Sequence, residues 1–248
     1  IDVSGAAGGS VTVVADQRLD VSGASVDATG RADKGGTIAL SAGAEVVISG
    51  SKITADGALQ GGKILIGNDA QGGTLPFAER TFIDGSSLLL AKDFSGLGRG
   101  GFIETSGRFL GVAGEVVAGR GGTWLLDPTN VTISTAAAGA TNFTVSSVQS
   151  SINGGTNVTI TADGTITLSN ALTFANSSGA AATLTLDTSG SGTNASSILL
   201  NAGIAATGTS AVNLVLRTKG AAISTAASTV VDVTGAITID NTIGLGAG

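Results

Sequence analysis

Five Gly-Gly pairs recur through the first half of the chain, and their spacing constrains the fold more than any other feature. They begin at Gly8, Gly35, Gly61, Gly100 and Gly121, so that successive pairs are 27, 26, 39 and 21 residues apart. Spacings of about 20–50 residues are typical of proteins built from stacked repeats. The spacing therefore predicts a stack of similar coils.

Apolar residues occupy alternate positions after each Gly-Gly pair. The second residues after the pairs are Val11, Ile38, Ile64, Ile103 and Trp124. The fourth residues are Val13, Leu40, Ile66, Thr105 and Leu126, among which only Thr105 is polar. Successive side chains of a strand point to opposite faces, so this alternation predicts one face in a core. We expect the second residues to be buried, and Thr12, Ala39 and Glu104 to point outward.

Each repeat contains further strand-like phrases beyond the one that follows the Gly-Gly pair. Residues 19–30 and 46–57 each contain two short alternating segments joined by a Ser-Gly turn. Three strands in a repeat of about two dozen residues are typical of one coil of a parallel β-solenoid. A barrel or sandwich would place turns about every 8–12 residues without a longer period. The sequence therefore favours an all-β solenoid of about nine or ten coils.

The longest step between Gly-Gly pairs contains an insertion, which we place at residues 67–84. This segment holds a further pair, Gly72-Gly73, together with Pro76 and the apolar Phe77 and Phe82. We expect an inserted loop or an extra turn of coil there. It lies within a first region, residues 1–134, of coils phased by the Gly-Gly pairs.

Residues 135–156 are interpreted as a bridge that contains one short helix near residues 146–153. Val148 and Ile152 lie four residues apart, as on one face of a helix, and Gly154 can end it. The candidates for the N-cap are Ser146 and Ser147. After the bridge, Thr- and Asn-rich alternating segments resume, and we expect residues 157–248 to continue the coils.

The composition excludes several classes of function. The chain has no Cys and no His, and only 12 Lys and Arg against 18 Asp and Glu, for a net charge of −6. A nucleic-acid partner needs a Lys/Arg surface, so none is expected. Thiolate and imidazole metal sites are excluded by the missing residues, and we predict neither metal site nor cofactor. Because the chain begins at Ile1, we interpret it as a piece of a longer or processed protein.

Aspartates are the remaining candidates for catalysis, since Ser-His and Cys-His systems cannot be built without His and Cys. β-Helical polysaccharide hydrolases and lyases use Asp with Lys or Arg in a groove. Here the aspartates stand mostly beside Gly or Ser, where an Asp side chain typically bonds a nearby backbone N–H in a turn. They are Asp16, Asp27, Asp56, Asp69, Asp84, Asp127 and Asp187. We therefore favour turn formation and predict no catalytic residue.

Five Asn-X-Ser/Thr triplets lie in the second half of the chain. They begin at Asn130, Asn142, Asn157, Asn176 and Asn194. Such triplets are glycan acceptors on secreted proteins, although a composition rich in Asn, Thr and Ser also produces them by chance. They are the candidate modification sites of the chain.

Two phrases of the chain resemble a known family. The segments GGFIETSG (residues 100–107) and GRGGTWLLDPTNVTIS (residues 119–134) are similar to large bacterial exoproteins of the filamentous-haemagglutinin type, which are secreted by the two-partner route. Residues 21–43 and 144–160 are also similar to segments of that family, so the resemblance covers residues 1–160. It implies a right-handed parallel β-helix on a Gram-negative cell surface, adhesive in many members and glycosylated in some.

Three hypotheses about function follow. The first is a structural shaft or adhesin segment of a secreted or surface-anchored exoprotein, without enzymatic activity. Its partners would be an outer-membrane secretion protein, a host or neighbouring-cell surface or matrix, and further copies of itself. The second is a β-helical carbohydrate-active enzyme, which requires acidic residues from adjacent coils to meet in one groove. The third is a self-assembling extracellular filament subunit, which requires end coils that pair between copies.

Overall fold

The chain folds as a parallel β-helix with three faces. A computed structural model describes residues 1–69, 73–96, 98–136, 141–190 and 196–241. These residues form 25 strands and one helix, and every strand pairing among them is parallel. The predicted β-solenoid is therefore confirmed.

The first face is one nine-stranded sheet, to which each coil contributes one strand. In stacking order its strands are β1 (Ser10–Ala15), β4 (Thr37–Ala42), β7 (Lys63–Ile66), β10 (Phe102–Ser106), β13 (Thr123–Asp127), β16 (Asn157–Thr161), β19 (Ala182–Asp187), β22 (Val212–Arg217) and β25 (Ile237–Asp240). Nine first-face strands correspond to nine coils, within the expected range.

The second face is another nine-stranded sheet. In stacking order it consists of β2 (Arg18–Ser22), β5 (Glu45–Ser49), β8 (Arg80–Ile83), β11 (Phe109–Val112), β15 (Asn142–Thr144), β14 (Val131–Ser134), β17 (Ile166–Leu168), β20 (Ile198–Leu200) and β23 (Ile223–Thr225). The fifth coil thus contributes two strands to this face, and β15 lies between β11 and β14.

The third face is interrupted by the helix. Its first sheet contains β3 (Ser25–Asp27), β6 (Lys52–Thr54), β9 (Leu88–Leu90) and β12 (Glu115–Val117), and its second contains β18 (Leu172–Ala175), β21 (Ile204–Thr207) and β24 (Val231–Asp232). Helix α1 (Val145–Asn153) contacts both β12 and β18. It therefore takes the place of the third-face strand in the fifth coil.

The register predicted from the Gly-Gly pairs is the register of the first-face sheet. Val11 pairs with Ile38, Ile38 with Ile64, Ile64 with Ile103, and Ile103 with Trp124. All five side chains are buried in one apolar cluster that runs along the coils. The core therefore lies along the axis, enclosed by the three faces.

The outward residues differ from expectation where the insertion covers them. Thr12 is exposed, but Ala39 and Glu104 are buried although they lie outside the apolar core. Ser41, two residues after Ala39, donates a hydrogen bond to the carbonyl of Pro76 in the insertion. The outer face of β4, β7 and β10 is therefore packed beneath the inserted loop, and Glu104 there accepts a hydrogen bond from Ser106 Oγ at 2.8 Å.

The insertion is shorter than the predicted 67–84 segment. The residues at its end form strand β8, which pairs with β5 and β11 as an ordinary second-face strand. The chain therefore passes from β7 to β8, the first-face and second-face strands of the third coil, and the described residues between them, 67–69 and 73–79, contain no further strand.

The helix begins one residue earlier than predicted and has a different cap. Its N-cap is Thr144, whose Oγ1 accepts a hydrogen bond from the backbone N–H of Ser147 at 3.3 Å. Ser146 and Ser147, the two predicted caps, lie within the first turn. Val148 and Ile152 are buried and Gly154 is the C-cap, as the pattern predicted.

Candidate functional site

One groove gathers carboxylates from three successive coils. Asp127 ends β13, Asp187 ends β19, and Asp163 follows β16 between them. In the first-face register Thr161 pairs with Asp187. With Thr161 and Ser189 these residues line an open groove of about 230 Å³, called here the acidic groove.

Burial is the main influence on Asp127 in the acidic groove. Loss of solvent raises the pKa of the Asp127 carboxyl, and the nearby charge of Asp163 also raises this pKa. The hydrogen bond that Thr161 Oγ1 donates to the carboxylate at 3.1 Å lowers it, but by less than burial raises it. A carboxyl of this kind holds a proton more tightly than an exposed one. A raised pKa is expected of a general acid, and it is equally expected of a half-buried carboxyl in a turn.

Asp187 already has local partners. Its Oδ1 accepts hydrogen bonds from the backbone N–H of Ser189 at 2.8 Å and from Ser189 Oγ at 2.6 Å, and its Oδ2 lies 3.8 Å from Arg217 Nη1. This carboxylate closes a turn and forms an ion pair with the next coil. No group of three or more His, Cys, Asp or Glu that could hold a metal occurs in the part of the chain that the structure describes.

Other aspartates take the turn role that the sequence predicted. Asp27 Oδ1 accepts from the backbone N–H of Thr29, and Asp84 Oδ1 accepts from that of Ser86. Burial by itself would raise the pKa of Asp84, but hydrogen bonds from Ser87, Gly50 and Ser86 lower it overall. Turn chemistry therefore accounts for these two residues.

A second groove follows the Gly-Gly corner of the first coils. Its volume is about 350 Å³, and its rim carries Lys34, Gln60, Lys63 and Phe102. Lys63 Nζ lies 5.8 Å from the centroid of the Phe102 ring and 3.4 Å from Asp69 Oδ1. Lys34, Gln60 and Arg99 occupy equivalent positions in successive coils. The few cations of the chain are thus partly gathered at one corner, which composition alone does not predict.

The candidate glycan acceptors differ in accessibility. Asn130 is exposed, and its Oδ1 accepts from the backbone N–H of Thr165. Asn142 and Asn157 are half-buried, and their Nδ2 atoms donate to the carbonyls of Ala136 and Gly122.

Asn176 is fully buried, and Asn194 lies outside the described residues. The Nδ2 of Asn176 donates to the carbonyls of Ala180 and Ala211. Since a glycan is carried on Nδ2, the folded chain has no room for one at Asn176. The exposed Asn130 is the acceptor that the geometry favours among the four described.

Sequence reasoning missed that the acidic groove would form. The candidate aspartates from the sequence include Asp127 and Asp187 but not Asp163, and turn formation was the role predicted for them. The signal was present, because Asp127 and Asp187 both stand three residues after an inward first-face position, Trp124 and Leu184. Applying the register to the outward residues would have placed them at one edge of the sheet.

The comparisons with known proteins give no relative for this chain. No family model, no curated protein and no solved structure matches it. Within the described residues, no helix is long and apolar enough to cross a membrane.

Proposed function

We propose that the chain is a structural shaft or adhesin segment of a large secreted or surface-anchored bacterial exoprotein. The observation that carries the proposal is the continuous register of nine first-face strands. Each strand pairs with its neighbours along the axis and each inward side chain stacks on its equivalent, so bending the rod would break many contacts at once. A stiff rod suits a protein that holds a binding surface away from a cell.

The cellular setting of the proposal rests on the family resemblance of residues 100–107 and 119–134. It is a Gram-negative cell surface or the surrounding medium, reached through an outer-membrane secretion partner. A chain without Cys is compatible with this route, because no disulfide can lock it before export. The proposed binding partners are a host or neighbouring cell surface, or matrix, and they do not include nucleic acid.

An adhesive surface is best supported at the inserted loop. The described part of this loop, residues 67–69 and 73–79, meets the outside of the first-face sheet where Ser41 donates a hydrogen bond to the carbonyl of Pro76, and Phe77 in it is exposed. Loops held by a rigid scaffold commonly carry recognition, and an exposed aromatic side chain is a typical anchor. Phe94, exposed on a different corner, offers a matched control.

Surface labelling tests the proposed location. An antibody against the chain should label intact producing cells or their medium, and protease treatment of intact cells should remove the cell-bound signal. Labelling that appears only after lysis would contradict the proposal.

Binding of the purified chain tests adhesion. The chain should bind cultured cells or extracellular matrix, Phe77→Ser should weaken binding about tenfold or more, and Phe94→Ser should leave it unchanged. Equal loss in both variants, or no binding at all, would remove the adhesin part of the proposal.

A second candidate function is supported by the acidic groove. A β-helical carbohydrate-active enzyme requires acidic side chains from adjacent coils in one groove, and Asp127, Asp163 and Asp187 meet that requirement. Turnover in a screen of plant and bacterial polysaccharides that is lost in Asp127→Asn, but kept in the exposed control Asp33→Asn, would promote this function. The absence of turnover on every polysaccharide would leave the shaft as the better proposal.

A further inference from the structure

The groove at the Gly-Gly corner, called here the corner groove, has a floor without side chains. The Gly-Gly pairs that begin at Gly35, Gly61 and Gly100 form this floor, one pair from each of three successive coils. One side of the groove runs along the first face from Thr37 to Thr123, three strand spacings or about 14 Å apart. The groove of about 350 Å³ therefore follows the solenoid axis and has the shape to hold a linear ligand.

The other side of the corner groove carries the residues that directly precede the Gly-Gly pairs. Lys34 and Gln60 line the groove, and Arg99 continues their row, because Lys34 bridges Gln60 and Gln60 bridges Arg99 in successive coils. The row thus consists of a cation, an amide and a second cation. Lys34 and Arg99 are exposed, and neither forms an ion pair with another described residue. Both positive charges can therefore meet a ligand.

The row of cations is bounded by Arg120, which precedes the next Gly-Gly pair. The carbonyl of Arg120 accepts a hydrogen bond from the backbone N–H of Gly100 at 2.9 Å, so this residue is in register with Arg99. Its guanidinium donates hydrogen bonds to the carbonyls of Gly96 and Gly179. Arg120 therefore holds neighbouring turns of the chain together, and Lys34 and Arg99 are the cations that this row offers to a ligand.

Phe102 makes the first-face side of the corner groove partly apolar. Its ring is half-buried, so part of it remains in contact with solvent. Lys63, one coil earlier, already has partners within the chain, since its Nζ lies 3.4 Å from Asp69 Oδ1 and 5.8 Å from the centroid of the Phe102 ring. The charge of Lys63 is thus partly balanced, whereas Phe102 gives a ligand a ring to pack against.

The spacing of the two cations matches one turn of a polyproline II helix. Lys34 and Arg99 are two coil steps apart, which is about 9.6 Å along the axis. A polyproline II helix has three residues per turn and rises by about 3.1 Å per residue, so residues i and i+3 lie on one side, about 9.3 Å apart. Its backbone has no internal hydrogen bonds and can bond the amide of Gln60. Grooves with aromatic walls are typical binding sites for Pro-rich segments.

We infer that the corner groove binds a Pro-rich acidic segment of a partner protein, extended as a polyproline II helix, with Asp or Glu at every third residue. Two of its carboxylates pair with Lys34 and Arg99, and its proline rings pack on Phe102. The chain has a net charge of −6, so most of its remaining surface repels such a ligand, which confines binding to the groove. The inference uses neither Phe77 nor the acidic groove, so its failure leaves the shaft, adhesin and enzyme proposals as they stand.

Fluorescence anisotropy of a labelled peptide of Pro-Pro-Glu repeats tests the inference on the purified chain. The peptide should bind, and more weakly as salt is added. Lys34→Glu and Arg99→Glu should each weaken binding about tenfold or more, because a negative charge then faces a carboxylate. Lys52→Glu makes the same change of charge at an exposed position of β6 on the third face, and it should leave binding unchanged. Circular dichroism establishes that each variant is folded. No binding, or equal loss in all three variants, would overturn the inference.

A series of ligands tests the spacing without any change to the protein. A peptide of Pro-Pro-Pro-Glu repeats with the same number of glutamates places successive carboxylates about 12.4 Å apart and on different sides of the helix. It can form one of the two ion pairs at a time, so it should bind about fivefold more weakly, and a peptide of Pro-Pro-Gln repeats should bind more weakly still. Equal binding of the two acidic peptides would contradict the match of spacing. Polygalacturonate that binds more tightly than the Pro-Pro-Glu peptide, and loses binding in Lys34→Glu, would assign the groove to an acidic polysaccharide and overturn the inference.

Discussion

Thr105 is the single polar residue among the ten predicted inward positions, and the structure gives its physical reason. The indole Nε1 of Trp124, one coil further on, donates a hydrogen bond to Thr105 Oγ1 at 3.0 Å, and both residues are fully buried. A buried indole N–H without an acceptor is costly. Thr105 is visible in the sequence as an exception to the apolar pattern, and Trp124 as the single Trp. The repeat period alone could not show that Thr105 is polar because it accepts the hydrogen bond of Trp124.

We predict that Thr105→Val destabilises the fold by about 1–3 kcal/mol, because it leaves the buried indole N–H unpaired while keeping the side-chain volume. Thr105→Ser keeps the hydroxyl and should lose less. Denaturant unfolding followed by fluorescence measures both variants, since Trp124 is the only Trp. If Thr105→Val were as stable as the unsubstituted chain, the hydrogen bond would contribute nothing to stability.

Asp127 provides a prediction about pH. Burial raises the pKa of its carboxyl in the folded chain, so the folded state holds this proton more tightly than the unfolded state. Its contribution to stability is therefore fully present below the ordinary Asp pKa of about 3.9 and is lost as pH rises through the raised value. Asp127→Asn should be more stable than the unsubstituted chain at neutral pH.

Thermal unfolding at several pH values checks this sign. The gain from Asp127→Asn should shrink as the pH falls, and it should vanish well below the ordinary Asp pKa of about 3.9, where the carboxyl is protonated in both the folded and the unfolded state. The exposed control Asp33→Asn should give no comparable gain. A stability gain that grows in acid would contradict the assignment of burial as the dominant cause.

At the scale of elements, the Gly-Gly pairs are needed for close stacking of the corners. A Cβ added to Gly62 would lie 2.1 Å from the carbonyl oxygen of Gly36 in the preceding coil, a distance that only a backbone shift could relieve. At nine of the ten glycines of the five pairs, an added Cβ would lie within 3.0 Å of a backbone atom, and the tenth, Gly121, has a positive φ of 65° that favours glycine. The pairs therefore recur because the corners exclude side chains or require this conformation. This explains why their spacing alone was enough to predict the coil register.

We predict that Gly62→Ala lowers the free energy of unfolding by about 2 kcal/mol or more, as overpacking against rigid backbone typically does. Gly190→Ala is the matched control, because a Cβ there meets no atom of the described residues within 4 Å, and it should change stability little. Chemical denaturation of the two variants gives the comparison. Equal effects would mean that the corner tolerates a side chain.

The sequence pattern predicts the wrong helix cap because three hydroxyl residues, Thr144, Ser146 and Ser147, lie within four positions and each is a suitable N-cap. Strand β15 runs directly into α1, so the extended residue that caps the helix is the last residue of a strand, Thr144. We predict that Thr144→Ala costs about 1 kcal/mol, while Thr144→Ser costs a few tenths. Thermal unfolding separates the two, and equal losses would show that Oγ1 does not stabilise the helix.

The extra second-face strand in the fifth coil accompanies the helix. A helix is about 10 Å wide with its side chains, whereas neighbouring strands are about 4.8 Å apart. On the third face, α1 therefore occupies more length along the solenoid axis than one strand would. On the second face, the fifth coil also occupies more length, because it contributes two neighbouring strands, β15 and β14. The sequence placed the helix in the bridge, but it gave no indication that β15 would insert before β14 in the sheet.

For the whole molecule, the repeat made the architecture predictable and the insertion made part of the surface unpredictable. The nine coils could be predicted because they depend on the Gly-Gly pairs and the alternating apolar residues, which repeat regularly over short stretches of sequence. The covered outer face of β4, β7 and β10, with buried Ala39 and Glu104, depends on where a non-repeating loop folds back, and no periodicity encodes that. The acidic groove lies between these cases, because the register places Asp127 and Asp187 at one edge of the first-face sheet, whereas Asp163 comes from the turn after β16.

The last prediction concerns how stability is distributed along the rod. Each coil is supported only by its neighbours, so an end coil opens more easily than a central one. Backbone amides of β25, which borders an exposed core, should exchange with deuterium fastest among the first-face strands, and those of β13 and β16 slowest. Uniform protection from end to end in dilute protein would mean that the coils unfold as one unit, and would contradict a stability built from neighbouring pairs of coils.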